Sequence, residues 1–232
     1  MKRFYDEVSV AEADAGWRVL LDGKPIRTQG GGAQIVPTRA LADALAEEWR
    51  AQGEKLDLSA FPLRDAADHA IDVVAGDRAA TIEQLLGFAE TDTLCYRADP
   101  EDALFRRQED MWEPLVTALE SREGIRLQRI SGVMHRPQRP ETLAALRARL
   151  EGLDSFALAG VQAMASLAAS LCVALAALDA DADTEALWAA ASLEEDWQAE
   201  QWGRDEEAEE RRTRRSADFA RAVRFTRLAS ET

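Results

Sequence analysis

The stretch from Gly16 to Gly53, GWRVLLDGKPIRTQGGGAQIVPTRALADALAEEWRAQG, decides the fold class. Its first half reads as strands. Gly16 to Leu21 is apolar or alternating, Asp22-Gly23 is the strongest short hairpin signal, and Lys24 to Thr28 returns. Gly30-Gly31-Gly32 marks a second turn before Ala33 to Val36; no Gly-Lys-Ser/Thr follows and no helix starts on it, so it reads as a turn and not as a phosphate-binding loop. The period then changes. After Pro37, Thr38 is placed to cap a helix running to Gln52, with Leu41, Ala44, Leu45, Glu48 and Trp49 at helical spacing and Gly53 as its stop.

Working outward, residues 4 to 36 read as strands, and the helix of residues 37 to 53 is expected to pack on their sheet. From about Ala60 the strand signal largely disappears. Leu63 to Val74, Ala79 to Tyr96, Pro100 to Glu120, Pro140 to Leu150, Phe156 to Leu178 and Thr184 to Leu228 carry helical periodicity, the last broken at Gly203. Ile125 to Val133 reads equally as a short strand or an extended connection. The expectation is an α+β protein: a small N-terminal domain of mixed sheet and helix over residues 1–60, then a larger all-helical domain over residues 61–232.

Composition narrows the function. The 28 basic and 43 acidic side chains leave a formal net charge of −15, and with only three lysines (Lys2, Lys24, Lys55) the chain lacks the basic balance of a nucleic-acid scaffold. The stretch Ala157 to Leu178 is uncharged and long enough to span a bilayer, but it is largely Ala, Ser, Gly and Gln and lacks basic or aromatic anchors. Its large residues, Met164, Leu167, Leu171, Leu175 and Leu178, step by three or four, which reads as the buried stripe of a core helix. Cys95 and Cys172 lie far apart in apolar segments, so a reducing compartment is expected, and the two histidines, His69 and His135, lack metal-ligand spacing.

The inventory for catalysis is thin. No nucleophile-elbow, dinucleotide, zinc-protease or phosphate-loop pattern occurs, His69 and Asp68 are adjacent and so do not face each other on a helix, and Cys95 reads as a buried small hydrophobe. What stands out is LEEDWQAEQWG, residues 193–203, where carboxylates surround Trp197 and Trp202. The two indoles lie about 140° apart around a helix, so one belongs nearer the core and the other nearer the surface. Asp196 and Glu200, four apart, share a face. Exposed tryptophan among charges is the pattern of a protein-binding surface, and Glu195, Asp196, Glu200, Trp202 and Asp205 form the candidate partner-binding set. A small-molecule enzyme using carboxylates near Glu195 and Glu200 is the alternative. Downstream, Glu207 with Arg211 and Glu210 with Arg214 are i,i+4 pairs in the favourable order.

The blocks KRFYDEV (2–8), VLLDGKPIRT (19–28), LADALAEEWRAQGE (41–54), FPLRDAADHAID (61–72), TDTLCYRAD (91–99), RRQEDMWEPL (106–115), EEDWQAEQWGRDEEAEERR (194–212) and DFARAVRF (218–225) resemble, in order, a known family. It is the assembly chaperone for the alpha subunit of the ATP synthase catalytic head, the ATP-twelve chaperones. Two departures are visible: Gln29 and the glycine triplet stand where the family usually has a proline before its turn glycine, and Ala67-Asp68-His69-Ala70 replaces an Ala-Asn-Thr-Ala run. The resemblance implies an N-terminal domain of strands and helix, a helical C-terminal domain, no catalytic activity and no cofactor. It implies a chaperone that covers the apolar surface of the free alpha subunit until the beta subunit displaces it. Eukaryotic members carry a mitochondrial-matrix presequence; a start directly at the RFY block resembles bacterial members, for which a cytoplasmic location is expected.

Overall fold

A computed structural model of the chain describes residues 1–132, 135–203 and 205–231. Contacts divide it into two compact units: Met1–Arg78 with Asp154–Gly160 and Arg224–Thr232, and Ala79–Leu153 with Val161–Val223. The small N-terminal sheet and the larger helical remainder are the α+β architecture expected from the sequence.

In the first unit, β1 (Val8–Ala13), β2 (Gly16–Leu21) and β3 (Lys24–Pro25) form an antiparallel sheet in that order. Val8 pairs with Leu21 and Ala13 with Gly16, while Leu21 pairs with Lys24 across Asp22 and Gly23, which both take positive φ. Ala33 and Val36 do not build a regular strand; they make single bridges to Arg27 and Trp17. α1 (Arg39–Arg50) is capped by Thr38 as expected, its hydroxyl oxygen accepting from the Leu41 N–H at 3.0 Å. Leu41, Leu45 and Trp49 are buried on the face that α1 turns to the sheet. The same unit continues beyond residue 60, where the sequence places its boundary. Phe61 is fully buried against Trp49, and the Glu48 carboxylate accepts the Leu63 and Arg64 N–H groups at 2.7 and 2.9 Å, capping α2 (Pro62–His69) from α1.

The two departures from the family pattern meet each other. α2 runs into a π turn over Ala70–Val74, and its acids hold the glycine loop: Asp68 accepts the Gln29 N–H, and Asp72 accepts the Gly30 N–H and the Thr28 hydroxyl. A loop rich in free N–H groups thus faces carboxylates that satisfy them.

The second unit holds α3 (Arg78–Glu90) from its second residue, α4 (Ala103–Glu123), α5 (Pro140–Glu151), most of α6 (Ser155–Ala168), α7 (Leu171–Ala176), α8 (Thr184–Ala191), α9 (Leu193–Trp202) and most of α10 (Glu206–Ser230). Trp112 on α4 is fully buried and donates its indole N–H to the Ala190 carbonyl at 2.7 Å. Three sequence expectations change here. The segment 79–96 stops at Glu90, because Asp92 caps a following 3-10 turn and Tyr96–Arg97 becomes a two-residue strand, β4. That strand pairs in parallel with β5 (Ile130–Ser131), so the helical part also carries a short ladder; Val133, the end of that candidate strand, lies outside the described residues. The run 156–178 is two helices, broken where Ala169 takes a φ of 48° and Ser170 caps α7.

The break in that run has a buried cause. The Asp92 carboxylate, 1 % exposed, accepts the Ser170 hydroxyl at 2.6 Å, the Cys172 N–H at 2.9 Å and the Leu94 N–H at 3.0 Å. Burial pushes this carboxyl up to about 6. Cys95 and Cys172 are buried free thiols, both pushed up by burial. No helix among the described residues is long and apolar enough to cross a membrane.

Candidate functional site

The segment drawn from the sequence as one helix with a break at Gly203 is three helices, and the additional break at Ser192 starts α9 afresh. Leu193 is the buried anchor of α9, and Glu194, half-buried, accepts from the Gln108 amide at 2.8 Å. Gly203 ends the helix at φ 93° and ψ 164°, a conformation essentially restricted to glycine. Arg204 lies outside the described residues. Asp205 then caps α10, its carboxylate accepting the Ala208 N–H at 3.1 Å.

This turn-back leaves a cleft of about 400 Å³ between α9 and α10. Glu195, Asp196, Trp202 and Asp205 line it together with Arg212 and Arg215. Glu200, the fifth residue of the candidate set, does not line it; it pairs with Arg107 on α4 at 2.8 Å. Asp196 pairs with Arg212 at 2.6 Å and Glu195 with Arg215 at 2.8 Å. Asp196 and Glu200, which share a face of α9, are each matched by an arginine, Arg212 of α10 and Arg107 of α4.

Trp202 is the exception. It is 80 % exposed, the largest exposure of any large apolar side chain among the described residues. Trp197 is half-buried with the Arg107 guanidinium 4.7 Å from its ring centroid, so the expected division between a core and a surface tryptophan holds only for the surface one. The cleft also contains a buried donor without a partner, the Nε–H of Arg212. The candidate set omits Arg212 and Arg215 because their charge run reads as a solvated helix face. The pairs expected inside that run are present, Glu207 with Arg211 at 2.7 Å and Glu210 with Arg214 at 3.8 Å, but Arg212 and Arg215, three apart, reach across to α9.

Chemically, the cleft offers an apolar indole, paired charges around it and one unused donor. Glu195 and Glu200 are held by different arginines and do not converge as an acid/base pair. Among the described residues no group of three or more His, Cys, Asp or Glu side chains is arranged to hold a metal ion.

Comparison with known proteins gives a consistent picture. The family model described as "ATP12 chaperone protein" matches residues 2–120. The chain is 26 % identical over 221 residues to the Schizosaccharomyces pombe protein named "Protein atp12, mitochondrial", covering 90 % of this chain and 76 % of that one. Among solved structures, Atp12 from Paracoccus denitrificans is 38 % identical with a TM-score of 0.93, covering 98 % of both chains. A chaperone candidate from Agrobacterium tumefaciens is 42 % identical with a TM-score of 0.92, covering 98 % of this chain and 85 % of its own.

Proposed function

The chain belongs to the ATP12 chaperone family, and on that premise we propose that it binds the free alpha subunit of the ATP synthase catalytic head and keeps it from self-association until the beta subunit takes its place. The physical logic is that a subunit awaiting its partner exposes a large apolar patch, and a reversible cover lowers the concentration of the sticky form. The observation that carries the proposed contact is Trp202, 80 % exposed beside a cleft. Tryptophan in such a position is the residue type that most often dominates a protein interface when it becomes desolvated.

Glu195, Asp196 and Asp205 supply the polar rim in this reading, and Glu200 lies outside it. Glu195 and Arg215 are each about half exposed, so their pair is weak and can exchange partners when a client docks. The protein needs no chemistry of its own for this role, and we assign it no catalytic step and no cofactor. The proposed place of action is the bacterial cytoplasm, in keeping with higher identity to the two bacterial structures than to the fission-yeast protein.

The test is light scattering by isolated alpha subunit on dilution from denaturant, with and without an equimolar amount of this protein and in the absence of nucleotide. Suppressed scattering is expected. Scattering that proceeds at the same rate with the protein present overturns the proposal.

A further inference from the structure

Another concave surface lies wholly within the second unit, between α4 and the chain that joins α7 to α8. It is a groove of about 440 Å³. The core face of α4 carries Trp112, Val116 and Leu119, all buried. Met111, Leu115 and Ala118, three and four apart, form a second apolar stripe on the same helix; this one stays partly or fully in water and floors the groove, with Ala186 of α8 also among the lining residues. From Met111 to Arg122 the lining part of α4 runs about 17 Å, at 1.5 Å per residue.

We propose that this groove docks a basic amphipathic helix of a partner protein, its apolar face on the α4 stripe and its arginines or lysines over the rim. Three observations converge on that occupant. The first is charge. The rim carries four aspartates, Asp110, Asp179, Asp181 and Asp183, against one base, Arg122. Asp179 holds that base with both carboxylate oxygens, at 2.9 and 2.8 Å, and Asp183 is engaged in capping α8, accepting the Glu185 and Ala186 N–H groups. Asp110 and Asp181 remain: both are exposed, and neither forms an ion pair among the described residues. With its one base already matched, the groove presents a field of a single sign, which draws cations and repels acidic segments.

The second observation is a main-chain acceptor. Pro114 lies inside α4 and has no N–H for the Asp110 carbonyl four residues back. Both residues line the groove, so a carbonyl without its regular helical partner stands beside an unpaired carboxylate. Guanidinium and ammonium groups supply the N–H donors that such acceptors take, and an apolar or acidic side chain does not. The third is shape. An apolar floor of two to three helical turns suits a helix that lays down anchors three and four residues apart. A small organic cation would answer the carboxylates but leave the α4 stripe in water, which is why an amphipathic helix fits better.

The choice of a polypeptide occupant rests on the chaperone reading, and the assay below contains no alpha subunit, so its failure leaves the aggregation test standing. The probe is the fluorescein-labelled peptide Arg-Leu-Ala-Arg-Leu-Leu-Ala-Arg-Leu-Ala-Arg, amidated at its C-terminus and read by fluorescence anisotropy against the full chain at physiological salt. A second peptide has glutamate in place of every arginine, and phenethylammonium serves as the small-cation competitor. The arginine peptide should bind saturably and the glutamate peptide at least about tenfold more weakly. Asp110→Asn/Asp181→Asn should lose about tenfold, whereas Glu12→Gln/Asp14→Asn, which removes the same charge from β1 and the turn after it, should bind as wild type does. Ala118→Gln, which crowds the floor at an exposed helical position without changing charge, should also lose about tenfold. Each variant is read after its circular dichroism matches wild type, and Trp202→Ala should retain the peptide. The proposal is overturned by no saturable binding, by equal binding of the glutamate peptide, by an unaffected Asp110→Asn/Asp181→Asn or Ala118→Gln variant, by an equal loss in Glu12→Gln/Asp14→Asn, by loss of binding in Trp202→Ala, or by displacement with phenethylammonium at the peptide's own concentration range.

Discussion

Asp92 should make the protein more stable as the solution is acidified toward pH 4.5. Its carboxyl is pushed up to about 6 from an ordinary 3.8 by burial, against hydrogen bonds from Ser170 and the backbone that favour the ionised form. Between those two values the folded chain holds a proton that the unfolded chain has released. Stability from this group therefore rises as pH falls through 6 and levels off below 3.8. From pH 7 to pH 4.5 the two values give a gain of about 2 kcal/mol. The assay is urea unfolding at both pH values for wild type and for Asp92→Asn, which cannot titrate. All other carboxylates are common to the two proteins, so the change in their stability difference isolates Asp92. The difference should move by about 2 kcal/mol in favour of wild type at pH 4.5. A difference that stays constant, or moves the other way, refutes the reasoning, because it would mean that the accepted hydrogen bonds outweigh burial.

Other substitutions probe the packing. Leu171 is 1 % exposed at the start of α7, and Leu171→Asp should cost several kcal/mol and unfold the second unit; a melting curve matching wild type would contradict the core assignment. A Cβ on Gly160 would collide with the Thr226 hydroxyl oxygen, so Gly160→Ala should destabilise by about 1–3 kcal/mol, and adding Thr226→Ala should recover part of that loss in the same thermal melt. Gly203→Ala should cost about 1–3 kcal/mol, because the turn out of α9 needs a φ of 93°; an unchanged melting temperature would mean that this turn carries no strain for other residues.

The α+β organisation was legible because short-range chemistry specifies it. Asp22-Gly23 demands a two-residue hairpin, and Thr38 before an apolar period demands a helix start, with no distant partner needed for either. The helix break at Ala169–Ser170 was not legible. It depends on a carboxylate some eighty positions earlier in the chain, and within an Ala/Ser-rich run a serine that caps looks like a serine that does not. The same reasoning explains the continuation past residue 60, where the Glu48 cap on α2 joins segments that composition separates. For the candidate site, residue types identified α9 and its surface tryptophan. Convergence of Arg212 and Arg215 on Asp196 and Glu195 needed the turn at Gly203, whose angle no spacing reveals.

Trp202 is the proposed anchor for the alpha subunit, and the direct measurement is co-elution of isolated alpha subunit with wild type and with Trp202→Ala on gel filtration, followed by titration of the complex. Because the side chain is 80 % exposed, the variant should melt within about 0.5 kcal/mol of wild type. Loss of a desolvated tryptophan anchor should weaken the complex by about 2 kcal/mol, roughly thirtyfold. A wild-type protein that never co-elutes with the alpha subunit, or a folded Trp202→Ala variant that binds it as tightly as wild type, would contradict the account.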